Sequence, residues 1–209
     1  MSKKTVKTMT SHGNPPLILA STSRHRQALL QRLGLDFEVV APGIDEAPLQ
    51  GERPAETAVR LAEAKARAVA RHHPNALIIG SDQVADFAGE PVGKPRNRAH
   101  ALEQLRSMRG RTVFFHTAVA LLNARTGLCR NALVDVASTF RSLDDAALEA
   151  YLDREQPFDC AGSVKSESLG IALFTRIASD DPTALIGLPL IRLTDLLEAE
   201  GVHPLPVAG

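Results

Sequence analysis

The sequence has no tryptophan and one tyrosine, and aromatic residues make up only 4% of its 209 positions. Its core must therefore be built from aliphatic side chains, which the 44% hydrophobic content provides. A surplus of charge is missing too, since Lys plus Arg and Asp plus Glu stand at 24 each. The absence of a global field counts against nucleic-acid binding as the main role, while a small anion held by local charges stays open. Cysteine is scarce. Cys129 and Cys160 form neither a disulfide framework nor a metal-ligand spacing, which suits a reducing cytoplasm. The seven histidines contain no H-E-x-x-H pattern, and His72 and His73, beside Pro74, read as partners of a helix end. Long apolar runs are absent, so no membrane span is expected. Residues 1–16 are polar, lack the apolar centre of a signal peptide, and read as a disordered extension ahead of a single domain over residues 17–209.

What is present alternates between strand and helix patterns. Leu17-Ile18-Leu19-Ala20 reads as a short buried strand. Ser21-Thr22-Ser23 follow, then residues 24–33 in helical spacing, with Leu29, Leu30 and Leu33 on one face and a stop at Gly34. This helix starts at a serine-rich turn directly after a strand. Ser21 or Ser23 can simply cap it. Alternatively its free N–H groups and positive dipole end bind an anion, with Arg24 and Arg26 adding charge. Two arginines in a first turn oppose the dipole, which favours the anion. Residues 37–40 read as a second strand. The loop over 41–54 carries Asp45-Glu46, either a solvated pair or hard oxygen ligands for a divalent cation. A long amphipathic helix over 54–71 places Lys65 near its small-residue face, where it either snorkels to water or points toward a site.

Leu77-Ile78-Ile79-Gly80 then reads as a strand running into a polar tip, Ser81-Asp82-Gln83. A carboxylate at the carboxyl end of a buried strand is where α/β proteins place chemistry, and an Asx-type turn is the plain alternative. A turn follows at residues 86–90. Gly93-Lys94-Pro95 holds a lysine between a permissive and a rigid backbone position. Residues 98–108 read as a helix. Residues 112–122 and 128–140 read as strands joined by a hairpin turn. A capping box starting at Ser142 opens a helix to about Glu155. The glycine-bracketed loop from Cys160 to Gly170, with Lys165 and Glu167 inside, precedes an expected strand over 171–174 and is a candidate substrate wall. A Gly/Pro-tipped loop and a helix over 190–200 close the chain. This interleaving, with one central hairpin, gives an α/β fold with a mixed twisted sheet flanked by helices.

Several segments together resemble the Maf family, in order and at similar spacing: residues 19–26, Asp45-Glu46, Lys65-Ala66, Gly80-Ser81-Asp82-Gln83, Gly93-Lys94-Pro95 and Ile186-Gly187-Leu188-Pro189. The resemblance implies a fold related to inosine triphosphate pyrophosphatase and a nucleoside triphosphate pyrophosphatase activity, with Asp82 as proton acceptor and a homodimer as partner state. The Lys165-Ser166-Glu167 segment and Gln83 directly after Asp82 are similar to the branch acting on 7-methyl-GTP. The dTTP/UTP branch usually carries Ser-Tyr-Gly-Ile-Gln-Gly and Thr at those places. His25 departs from the aromatic residue expected there. On this reading Ser21, Arg24, Arg26, Lys65, Lys94 and Lys165 bind phosphates. His25, Gln83 and Glu167 select the base, and Glu46 with Asp82 holds a divalent cation, Mg2+ or Mn2+. The competing expectations are a dTTP/UTP pyrophosphatase and a nucleotide-binding regulator of septum formation without turnover.

Overall fold

The computed structural model describes residues 15–205. The extension expected over 1–16 therefore lies almost wholly outside the described residues. One seven-stranded sheet organises the chain. Strand β1 is Leu17–Ala20, β2 is Glu38–Val40 and β3 is Leu77–Phe87; β1 lies between the other two and is parallel to both. Strand β4, Glu90–Val92, folds back on the end of β3 through Ala88 and Gly89, both at positive φ. Strands β5 (Thr112–Asn123), β6 (Cys129–Phe140) and β7 (Phe174–Ala178) continue the sheet antiparallel. The mixed sheet that the strand–helix alternation and central hairpin call for is thus present, and its parallel and antiparallel parts meet at β3.

Helices cover both faces. Helix α1 (Arg24–Gln31) and helix α5 (Leu190–Glu198) pack Leu29, Leu30, Leu193 and Leu197 against Leu19, Ile79 and Leu121. Helices α3 (Arg98–Met108) and α4 (Asp145–Glu155) bury Leu105, Met108, Leu148 and Leu152 around Phe115 on the same face, farther along the strands. Helix α2, Pro54–Ala70, lies on the opposite face. Proline at its first position suits a helix start, and Glu56 reaches back to accept from the Arg53 N–H at 3.1 Å. Its inner face is small: Ala58, Ala62 and Ala66 are fully buried. The helix can therefore approach the sheet closely. At Gly80 it does so to the limit, because a Cβ there would overlap the Ala62 carbonyl oxygen and stand 2.9 Å from the Ala66 nitrogen.

Three local expectations are corrected. Ser81-Asp82-Gln83 is not a strand tip. The sequence turns polar there, but β3 runs on to Phe87 because β5 stays paired with it from Leu77 to Asp86. The cap of α4 is Asp144, accepting from the Ala147 N–H at 2.9 Å, and not Ser142. Residues 169–173 form a 3-10 turn, so the strand expected at 171–174 starts instead at Phe174, where pairing with β6 becomes available.

Candidate active site

The site follows from how β3 changes neighbours. Its parallel pairing with β1 stops at Ala20–Gly80, and its pairing with β4 starts only at Ala85–Val92. Strand β5 holds the other edge throughout, so β1 and β4 share one edge and Ser81 to Val84 lie between them without a strand partner there. A cavity of about 1120 Å³ opens at this gap. It lies beyond the carboxyl end of β1, at the point where strand direction switches, which is where open α/β sheets take ligands. Asp82 sits in the gap, 6% exposed.

Helix α2 supplies the group facing it. Lys65 is 3% exposed and donates to Asp82 Oδ1 at 2.6 Å and to Glu46 Oε1 at 2.8 Å. The lysine therefore points into the site, and its ammonium bridges two carboxylates. Asp82 Oδ2 has no hydrogen-bond partner among the described residues. Burial pushes the Glu46 carboxyl up, but Lys65, Lys94 and Arg26 together outweigh it and hold that carboxyl below its usual range. The loop bearing Glu46 is tied to α2 by Glu52. That carboxylate accepts from Arg60 Nε at 2.5 Å, from the Thr57 hydroxyl at 2.9 Å and from the Leu49 N–H at 3.1 Å.

The N-terminus of α1 forms another wall. Ser23 caps it, accepting from the Arg26 N–H at 3.4 Å, and Ser21 accepts from the Ser23 N–H at 3.1 Å. Capping and cavity lining coexist, since Ser21, Arg24, His25 and Arg26 all face the cavity. Arg26 donates through Nε to the Gly187 carbonyl at 2.8 Å, which also accepts from Ser81 Oγ at 3.0 Å. Gly187 has φ +119, a conformation open to glycine, so its carbonyl can turn to meet both donors. Burial lowers the Arg26 guanidinium pKa, against the pull of Asp82 and Glu46.

The residues expected to read the base have their own partners. His25 Nδ1 lies 2.9 Å from Glu167 Oε1, a contact from α1 to the 160s loop across the cavity mouth. Gln83 donates its amide to Thr117 Oγ1, the Ala184 carbonyl and the Leu185 carbonyl at 2.9 to 3.0 Å. It thus pins the turn that ends in Gly187, and only Oε1 remains for a ligand. Lys94 lines the cavity. Lys165 does not, which corrects its place among the phosphate-facing cations. Its ammonium donates to the Glu155 carbonyl at 2.7 Å, capping the end of α4 and fixing the loop two residues before Glu167. Arg96 was not expected and lines the cavity at φ +65. Its position just after Gly93-Lys94-Pro95 was the available signal. Cys160 also lines the cavity, but burial, followed by the Asp159 charge, pushes its thiol up to about 12.

The donor set fits a hard divalent cation. Glu46 and Asp82 would hold it through carboxylate oxygens, which already share the one positive charge of Lys65. Among the described residues no group of three His, Cys, Asp or Glu side chains is arranged to hold a metal, so further ligands would be phosphate oxygens and water. No helix among the described residues is long and apolar enough to cross a membrane.

A family model described as "Maf-like protein" matches residues 16–200. The chain is similar to proteins named 7-methyl-GTP pyrophosphatase from several bacteria. It is 58% identical to that of Polaromonas sp., covering 90% of this chain and 85% of the relative. For Cupriavidus metallidurans the identity is 56%, over 92% and 97%, and for Ralstonia nicotianae 58%, over 88% and 94%. Among solved structures, a HAM1 protein from Coxiella burnetii aligns with a TM-score of 0.44 at 16% identity, over 62% of this chain and 75% of that one.

Proposed function

The chain belongs to the Maf-like protein family, and from that premise we propose that it hydrolyses the α–β phosphoanhydride bond of 7-methyl-GTP or a similar modified nucleotide, releasing the monophosphate and pyrophosphate in the cytoplasm. The observation that carries this reading is the buried Asp82, bridged to Glu46 by Lys65 on the floor of a cavity walled by Arg24, Arg26 and Lys94.

A nucleoside triphosphate brings about four negative charges, and catalysis of its cleavage is mostly positioning and charge neutralisation. The α1 N-terminus offers N–H groups, and Arg26, held by the Gly187 carbonyl, presents a fixed guanidinium. Asp82 Oδ2 takes the proton of the attacking water. The new bond forms from that water oxygen to the α-phosphorus, and the bond to the bridging oxygen breaks with its electrons leaving on pyrophosphate. A divalent cation held by Glu46 and Asp82 would supply Lewis-acid stabilisation of phosphate oxygens and ease deprotonation of the water. At the base end, 7-methylguanine is cationic and presents N–H donors on its Watson–Crick edge. The Glu167 carboxylate can accept two of these bonds and offset the charge.

The test is pyrophosphate release over a panel containing 7-methyl-GTP, GTP, dTTP and UTP, with wild type and Asp82→Asn. Wild type should prefer 7-methyl-GTP, and the variant should lose about 10²- to 10⁴-fold in kcat with its fold retained. A loss below tenfold would remove Asp82 from the base role, and binding without product would favour a regulator.

A further inference from the structure

Lys65 is placed where a cation belongs. Its ammonium contacts one oxygen each from Asp82 and Glu46, the two carboxylates that the reading above gives to a divalent cation. Helix α2 already touches β3 at Gly80 and cannot move closer, whereas the Lys65 side chain can swing. Arg26 adds positive charge close enough to act on both carboxylates, and Lys94 acts on Glu46. A divalent cation arriving alone therefore meets an ammonium between its ligands and further cations around them. A triphosphate reverses that balance, since its oxygens offer the ammonium a stronger partner and add negative charge beside the vacated carboxylates.

We propose that Lys65 is an internal counter-ion that keeps divalent metal out of the nucleotide-free enzyme and releases Glu46 and Asp82 when the triphosphate draws its ammonium away. Metal then enters only with substrate, and in the empty site the two carboxylates stay satisfied by the protein's own charge. This rests on the nucleotide-pyrophosphatase reading and concerns the order in which that site fills.

The experiment titrates Mn2+ alone into nucleotide-free protein and follows the EPR signal of the free ion. Wild type should remain unsaturated at about 1 mM Mn2+. Lys65→Met should bind at least about tenfold more tightly, because the repelling charge is gone. Lys65→Arg, which keeps a cation, should behave as wild type. Adding Glu46→Gln to Lys65→Met should abolish the gain. The idea is overturned if wild type binds Mn2+ as tightly as Lys65→Met, or if the variant gains nothing. It is also overturned if the gain survives Glu46→Gln, since the ion would then sit elsewhere. Should Lys65→Met fail to fold, Lys65→Gln, neutral but still able to donate to Asp82, is read by the same outcomes. No nucleotide is present, so a protein inactive on every panel nucleotide still gives a readable titration, and the two failures are distinct.

Discussion

Glu167 and His25 show how far a single side chain's role depends on what it touches. Glu167 is three-quarters buried and engaged by His25 Nδ1, so its carboxylate is held at the cavity mouth before any ligand arrives. Replacing it by glutamine keeps the shape and removes the charge. Glu167→Gln should lower the kcat/KM ratio of 7-methyl-GTP to UTP by about tenfold, the worth of one charge-assisted hydrogen bond traded for a neutral one. A substrate panel reads this directly, and an unchanged ratio takes Glu167 out of base selection. Cys160 is the contrasting case. It lines the same cavity, but a thiol pushed up to about 12 stays protonated near neutral pH and is no nucleophile there. Lys165 looked like a third phosphate cation because sequence gives residue type and neighbourhood, not direction. Its ammonium had a closer acceptor in the carbonyl at the end of α4.

At the scale of elements, the contact between Lys65 and Asp82 depends on the fit between α2 and β3. Lys65 and Asp82 meet at 2.6 Å only because Gly80 and the alanine face of α2 let helix and strand touch. Gly80→Ala forces the helix outward against the Ala62 carbonyl. Overpacking of this kind costs about 1–3 kcal/mol. The displaced Lys65 should also lower kcat by about 10²-fold, since misplacement of a reacting group by an ångström has that effect. Urea denaturation and steady-state rates check the two effects separately. Wild-type values for both would mean that the contact does not set the site. The helices were legible from spacing and caps, and α3 runs over the expected residues. The extension of β3 past Asp82 was not legible. A polar Ser-Asp-Gln run reads as a turn unless a partner strand pays for its backbone hydrogen bonds, and β5 lies thirty residues away in sequence.

For the molecule as a whole, the sheet provides stability and the loops complete the site, and pH separates the two contributions. The Glu52 carboxylate is held down to about 2, chiefly by its hydrogen bond to Arg60, against an ordinary value of 4.5. A carboxylate depressed in the folded state contributes stability that is complete above its unfolded pKa and lost as pH falls through the folded value. The stability gap between wild type and Glu52→Gln should therefore be full at pH 6, shrink below pH 4.5 and vanish only below pH 2. Urea denaturation of both proteins across that range checks it. A gap independent of pH would show that Glu52 acts through shape and not charge.

Composition and periodicity determined the aliphatic core, the alternation of strands and helices, the mixed sheet and the identity of most charged residues around the cavity, because these follow from local pattern and from residue type. Six short motifs in order were enough to indicate the family. The tertiary structure alone decided which of those charges face one another. The open edge of β3 between β1 and β4, the bridging of Asp82 and Glu46 by Lys65, the anchoring of Arg26 on Gly187 and the turning away of Lys165 all join residues far apart in the chain. Such contacts depend on packing distances and on competition among acceptors, and no single stretch of sequence carries that information.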